Sequence, residues 1–89
     1  MMKLIIAIVH HTDGEEILRA LTDAHFSVTR IASSGGFLRR GNATLLLGVE
    51  ADQVASAIQS IREHSVPPLD PGLKRATVFV LNVEHYEKI

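Results

Sequence analysis

Six segments of the chain alternate between the hydrophobic spacing of strands and that of helices. The first, Leu4–Val9, is continuously apolar and predicts a strand that is buried on both faces. Thr12 and Glu15 then form a capping-box pattern, which predicts a helix with Thr12 as its N-cap. The predicted apolar face of this helix consists of Ile17, Leu18, Leu21 and Ala24.

The rest of the pattern contains two strands, a second helix and a last strand. Residues 26–32 and 43–49 predict strands that the segment between them joins as a hairpin. Residues 52–64 carry Val54, Ile58 and Ile61 at helical spacing. All three prolines lie within residues 65–72, which predicts a short connector, and residues 76–83 predict the fourth strand.

The element order βαββαβ predicts an α+β, ferredoxin-like fold, with residues 1–89 as one domain. In this fold a four-stranded antiparallel sheet carries both helices on one face. The first and fourth strands are nevertheless apolar at both alternating sets of positions. A helix-free face so apolar needs a cover, and we expect further copies of the chain to provide it.

The segment between the second and third strands has the most unusual composition of the chain. Three of the six glycines fall within Gly35–Gly41, together with two arginines and the apolar pair Phe37 and Leu38. Glycine N–H groups and the forks of Arg39 and Arg40 suit a phosphate, and the apolar pair offers a face to a flat ring. An ordinary turn whose apolar residues pack into the core explains the segment equally well.

The composition narrows the functional classes. The formal net charge of -1 argues against binding of DNA or RNA, and the absence of cysteine excludes disulfides and thiolate metal sites. The longest apolar run is too short to span a bilayer, so we expect a cytoplasmic protein without membrane insertion. The five histidines show no metal-ligand spacing, and no catalytic triad can be argued from spacing.

With the glycine-rich segment placed between the second and third strands, the chain resembles the PII-like signalling proteins, specifically the cyclic-di-AMP receptor family. The resemblance covers nearly the whole chain and is most specific at Gly-Gly-Phe-Leu-Arg-x-Gly-Asn, residues 35–42; it also includes residues 2–9, Thr44, Gly48-Val49 and residues 76–80. It implies a homotrimer that binds cyclic di-AMP, or a related adenine nucleotide, in clefts between subunits. It also implies a signalling role without catalysis or a cofactor, through an effector protein that the sequence does not identify.

The resemblance further implies which residues contact the ligand. Carried over position by position, these contacts are Thr29, Gly36, Phe37, Leu38, Asn42, Gly48 and Phe79. The chemistry of the glycine-rich segment itself adds Gly35 and Arg39. Asn42 has the donor and the acceptor that an adenine edge requires. Judged by sequence alone, an ordinary strand threonine is the better interpretation of Thr29, and a core aromatic residue is the better interpretation of Phe79.

The chain departs from the family pattern at three places. Ser27 stands where the family has an arginine, Lys88 replaces a glutamine contact, and a long loop before the last strand is reduced to the proline-rich connector. Two other functions stay open. A structural trimer, like the divalent-cation-tolerance proteins, would use the glycine-rich segment only to seal an interface. A small acyl-phosphate hydrolase would need its phosphate loop after the first strand, where residues 10–14 contain no arginine.

Overall fold

The computed structural model of the chain describes residues 1–31, 42–65, 76–87 and 89. Its elements follow the predicted βαββαβ order, with one short 3-10 turn before the second helix. They are β1 (Met2–His10), α1 (His11–Asp23), β2 (Ser27–Ile31), β3 (Asn42–Glu50), the 3-10 turn (Ala51–Gln53), α2 (Val54–Glu63) and β4 (Ala76–Asn82). The prediction of the element order is confirmed.

The four strands form one sheet in the order β2-β3-β1-β4. Strand β1 lies between β3 and β4, β2 pairs with β3 at one edge, and all three pairings are antiparallel. This is the α+β, ferredoxin-like arrangement that the sequence predicted. Because β2 and β4 are the edge strands, the two strands farthest apart in the sheet are those that carry Thr29 and Phe79.

The core lies between the helices and one face of the sheet. Alternate residues of β1 and β3 point into it, and the two helices close it from the other side. Its fully or nearly fully buried members are Ile5, Ala7, Val9, Ala43, Leu45, Leu47 and Val49 from the sheet and Ile17, Leu21, Ala57 and Ile61 from the helices. Burying each of the valine, leucine and isoleucine side chains in this set stabilises the fold by about 1.5–3 kcal/mol.

The close packing of α1 on the sheet depends on a glycine. Gly14 is buried in the first turn of α1, and a Cβ added there would lie 3.1 Å from the Cβ of Ala43 in β3. A side chain at this position would therefore require α1 or β3 to shift by a few tenths of an ångström. Beside this contact, the Glu15 carboxylate of α1 pairs with the Arg30 guanidinium of β2 at 3.4 Å.

The start and end of α1 differ from the prediction. The N-cap is His10, whose Nδ1 accepts a hydrogen bond from the Thr12 amide at 3.4 Å and lies 2.7 Å from the Thr12 hydroxyl. Because the His10 ring caps the Thr12 amide, the helix begins at His11 and Thr12 lies inside it. The predicted capping box with Thr12 as N-cap is therefore wrong. Ala24 is exposed rather than buried, because the helix has already ended at Asp23.

The turn after α1 directs the chain back into the sheet. His25 adopts a left-handed φ of 69°, its amide donates to the Thr22 carbonyl, and the Phe26 amide donates to the Leu21 carbonyl, both at 3.0 Å. This pair of bonds is the Schellman motif. It fixes where β2 begins, at Ser27.

Candidate functional site

The sheet face opposite the helices carries four of the predicted ligand residues. Residues directly opposed in neighbouring strands share a face. Thr29 pairs with Leu46, Leu46 with Ile6, and Ile6 with Phe79. These paired residues form one row across the sheet, with Thr29 and Phe79 at its two ends. Asn42 and Gly48 share the face of Leu46 because even-numbered residues of β3 all point to that side.

This helix-free face is apolar along its middle. Leu4, Ile6 and Ile8 of β1 are only half-buried in the single chain, although the sequence predicted burial on both faces of this strand. Ile31, Phe79 and Leu81 on the same face are 39%, 50% and 47% exposed. The interpretation of Phe79 as a core aromatic residue is therefore wrong, since half of its surface is accessible in the isolated chain.

The four predicted residues are not equally close to one another. Thr29 lies diagonally across from Gly48, whose opposing residue is Ser27, and diagonal neighbours of this kind are about 7–8 Å apart. Asn42 and Gly48 lie at opposite ends of β3, and six residues of extended strand span about 20 Å. Thr29 and Phe79 are separated by three interstrand spacings, or about 14 Å.

The structure thus brings Thr29 and Gly48 together and leaves Asn42 and Phe79 apart from them. Five other predicted ligand residues, Gly35, Gly36, Phe37, Leu38 and Arg39, lie outside the described residues. So do Lys88 and the proline-rich connector beyond Ser65. The roles of all these residues stay predictions.

A cavity of about 480 Å³ opens on the helix-free face beside Gly48. Its lining residues come from three strands and from the segment that follows β4; they are Met2, Leu4, Ser27, Gly48, Val83 and Tyr86. The volume lies within the range typical of small-molecule sites. Among the lining residues that the structure describes, none carries a charge, and the side-chain polar groups are the hydroxyls of Ser27 and Tyr86.

The segment after β4 is held against the first strand. The Val83 amide donates to the Met2 carbonyl at 3.2 Å, which extends the pairing of β4 with β1 by one bond. Tyr86, farther along this segment, borders the cavity and has 58% of its surface exposed. Sequence reasoning missed Tyr86. The available signal was a lone tyrosine in an otherwise polar tail, where no strand or helix needs an aromatic side chain.

The other end of the helix-free face is more polar. His10 and Asn42 are directly opposed there, and Thr44 follows two residues later on the same side of β3. Thr44 is 94% buried, and its hydroxyl has no hydrogen-bond partner among the described residues. A buried hydroxyl without a partner costs about 1–3 kcal/mol, so this end of the face contains a polar group that is left unsatisfied.

Metal-binding and membrane-spanning features were also sought in the described ranges. Within residues 1–31, 42–65, 76–87 and 89, no three histidine or acidic side chains come together in a way that could hold a metal ion. Of the helices in this part of the chain, none is long and apolar enough to cross a membrane.

Comparison with known proteins decides the family. The sequence matches the cyclic-di-AMP receptor family over residues 2–68. The chain belongs to the cyclic-di-AMP receptor family. Residues 2–68 include the glycine-rich segment and three predicted ligand residues that the structure describes, Thr29, Asn42 and Gly48. Phe79 and Tyr86 lie beyond residue 68.

Solved structures agree with the fold over nearly the full chain. A crystal structure of a functionally unknown protein from Pediococcus pentosaceus ATCC 25745 is 30% identical, with a TM-score of 0.81 over 99% of this chain and 97% of that one. A DUF3240 family protein from Shewanella baltica OS155 is 12% identical, with a TM-score of 0.69 over 99% of this chain and 96% of the other. The second likeness concerns the fold alone.

Proposed function

We propose that the chain is a cytoplasmic, non-enzymatic signalling protein that binds cyclic di-AMP, or a related adenine nucleotide, in clefts between the subunits of a homotrimer. Membership of the cyclic-di-AMP receptor family supports the ligand class. The homotrimer, the position of the clefts and the absence of catalysis belong to the proposal.

The observation that carries the proposal is the distribution of the predicted residues over one sheet face. Thr29, Asn42, Gly48 and Phe79 all point away from the helices, yet they are spread over about 14 Å across the strands and about 20 Å along them. A mononucleotide cannot touch all four in one chain. Copies packed through this face would bring residues of one edge strand close to those of another copy.

The apolar surface gives the assembly a driving force. Phe79 and Leu81 on β4 and Ile31 on β2 are each more than a third exposed in the single chain. Burial of such side chains stabilises an interface by about 25 cal/mol per Å² of apolar area before the costs of association are subtracted. Both edge strands carry exposed apolar residues. In a closed ring of copies, the β2 edge of one copy would contact the β4 edge of the next, so both edges need such residues.

The chemistry assigned to each part of the site follows from its side chains. Backbone N–H groups around Gly36 to Leu38 and the guanidinium of Arg39 would hold phosphate. Asn42 would pair with an adenine edge, and Phe37 and Leu38 would enclose a ring. None of these roles requires a bond to be made or broken, so binding alone is the proposed activity.

Titration calorimetry with cyclic di-AMP, cyclic di-GMP, ATP, ADP and AMP tests the ligand class, and light scattering on the same sample tests the assembly. We expect a trimer that binds cyclic di-AMP or another adenine nucleotide with one ligand per chain and releases no phosphate. A trimer that binds none of the five nucleotides would instead be a structural assembly. Release of phosphate during the titration would identify a hydrolase.

A further inference from the structure

His10 belongs to two elements at once, as the last residue of β1 and the N-cap of α1. The Thr12 amide donates to Nδ1 of the His10 ring at 3.4 Å, and the Thr12 hydroxyl lies 2.7 Å from the same nitrogen. A backbone amide can only donate, so Nδ1 carries no proton here, and the single proton of the neutral ring is on Nε2. The bond to Thr12 therefore forms only while His10 is neutral.

Histidine differs in one property from the residues that most often cap helices. Serine, threonine, asparagine and aspartate do not take up a proton between about pH 5 and pH 8, whereas histidine does. A proton on Nδ1 turns this acceptor into a second donor facing the Thr12 amide. It also places a positive charge at the helix N-terminus, where the helix dipole is already positive. Both effects remove the cap in acid.

The charged groups of α1 beside the ring do not restore the bond. The exposed His11 ring is stacked on His10, with 5.0 Å between the ring centroids, and it gains positive charge in the same pH range. Asp13 is buried and is the acidic residue of the first turn. Its carboxylate attracts a protonated His10, but a protonated ring still offers the Thr12 amide no acceptor.

The strands next to His10 bring no charged side chain beside the ring in the part of the chain that the structure describes. β3 opposes His10 with the uncharged Asn42, and the described part of β4 begins at Ala76. In the sequence, Arg40 lies two residues before Asn42 and Arg75 directly before Ala76. The charges adjoining these strand ends are therefore basic, and basic charges do not favour a protonated ring.

The turn that His10 caps holds α1 to two strands of the sheet. Gly14 packs so closely on β3 that a Cβ added to it would lie 3.1 Å from the Ala43 Cβ atom. The Glu15 carboxylate pairs with the Arg30 guanidinium of β2 at 3.4 Å. β2 and β3 also carry three of the predicted ligand residues. Release of the first turn therefore loosens contacts that position both of these strands.

We propose that His10 is a pH-sensitive cap, whose protonation releases the first turn of α1, loosens the contacts of that turn with β2 and β3, and lowers nucleotide affinity in acid. The effect on affinity rests on the proposed nucleotide-binding function, whereas the effect on stability does not. Because the cap needs a neutral ring, its stabilising contribution is present above the pH range in which histidine titrates. It is lost as the pH falls through that range.

A cap that does not titrate tests the effect on stability. His10→Asn keeps a side-chain acceptor at the helix start, and His10→Ala removes the acceptor at every pH. Denaturant unfolding is measured at about pH 8 and about pH 5, at equal protein concentration. At the higher pH, the original should match His10→Asn, and the unfolding equilibrium constant of His10→Ala should be about 2- to 30-fold larger. At the lower pH, the original should match His10→Ala instead.

Two further exchanges show which histidine is responsible. His85→Asn, the same substitution in the exposed tail, is the matched control and should lose as much stability in acid as the original. His11→Asn removes the stacked ring but not the cap, so it should also retain this loss. If His11→Asn abolishes the loss or His10→Asn leaves it unchanged, His10 is not the sensor. Nitrogen NMR that finds the neutral His10 ring protonated on Nδ1 would equally overturn the cap.

Calorimetry with cyclic di-AMP at the same two pH values tests the effect on affinity. The original should bind more weakly in acid, and His10→Asn should remove up to about 2- to 30-fold of that difference, since the coupling cannot exceed the contribution of the cap. If no nucleotide binds the original, the proposed function and the effect on affinity are overturned, while unfolding still decides the cap. If nucleotide binds and stability responds but affinity does not, the link from the first turn to the strands is wrong.

Discussion

Thr29 and Phe79 point from the same face of the sheet and lie in the same cross-strand row, but at opposite edges, with Leu46 and Ile6 between them. A ligand that contacts both residues within one chain has to cross the apolar middle of the face. A ligand bound between two copies does not, because the β2 edge of one copy can meet the β4 edge of the next. The two arrangements make different predictions for mixed oligomers.

Complementation between defective chains tests which arrangement is correct. Thr29→Glu, which places a carboxylate on an exposed position, and Phe79→Ala should each abolish cyclic di-AMP binding when present in every subunit. Unfolding and refolding the two variants together at equal amounts should restore about one quarter of the sites, since random assembly pairs an intact β2 edge with an intact β4 edge that often. Calorimetric stoichiometry measures the restored fraction.

The control for this experiment is a mixture of each variant with itself under the same refolding protocol, which should restore no sites. If the mixed sample also binds nothing although mixed trimers form, both residues act within one chain. The intersubunit position of the site would then be wrong.

A charge in the middle of the helix-free face tests the interface directly. Ile6 is half-buried, outside the buried core, and points away from the helices. We expect Ile6→Asp to dissociate the oligomer, because an unpaired carboxylate in an apolar interface costs several kcal/mol. Sedimentation velocity measures the change, with Gln59→Asp on the exposed side of α2 as the control. An Ile6→Asp protein that remains a trimer would show that the copies pack through another surface.

The fold could be predicted from the sequence because each element carries its own period. The strands read as short runs rich in aliphatic residues and the helices as one apolar face each, and their order admits few arrangements. The cap of α1 could not be predicted in the same way. A Thr-x-x-Glu pattern indicated Thr12 as the N-cap, whereas the ring of His10, at the end of the preceding strand, accepts a hydrogen bond from the Thr12 amide and caps the helix instead.

The candidate site was predictable to a smaller extent. The resemblance identified Thr29, Asn42, Gly48 and Phe79, and the register of the sheet then placed all four on one face. Tyr86 was missed because it borders a cavity whose other walls come partly from β1, β2 and β3, and no local period links a tail residue to Ser27. Volume and lining of a cavity are properties of the folded chain, so such a residue becomes visible only when the strands are assembled.

Arg39 is predicted to contribute a charge-assisted hydrogen bond to a phosphate of the ligand. We expect Arg39→Ala to weaken cyclic di-AMP binding by about 1.5–3 kcal/mol and to reduce the dependence of affinity on salt. Calorimetry at two salt concentrations measures both effects. Arg62→Ala, which removes an equal charge from the last turn of α2, is the matched control. If neither Arg39→Ala nor the matching Arg40→Ala weakens binding, phosphate recognition rests on backbone N–H groups.

Substitution of Thr44 tests whether its buried hydroxyl, at the polar end of the helix-free face, lacks a hydrogen-bond partner in the ligand-free protein. Thr44→Val keeps the shape of the side chain and removes the hydroxyl, so we expect the free energy of unfolding to rise by about 1 kcal/mol. Thr44→Ala lacks both γ-methyl groups that Thr44→Val carries, so it should be less stable than Thr44→Val by about 2 kcal/mol. Denaturant unfolding at equal protein concentration compares the three proteins, because the stability of an oligomer depends on concentration. A Thr44→Val protein less stable than the original would contradict this prediction. The hydroxyl would then be hydrogen-bonded in the ligand-free assembly and unsatisfied only in the single chain.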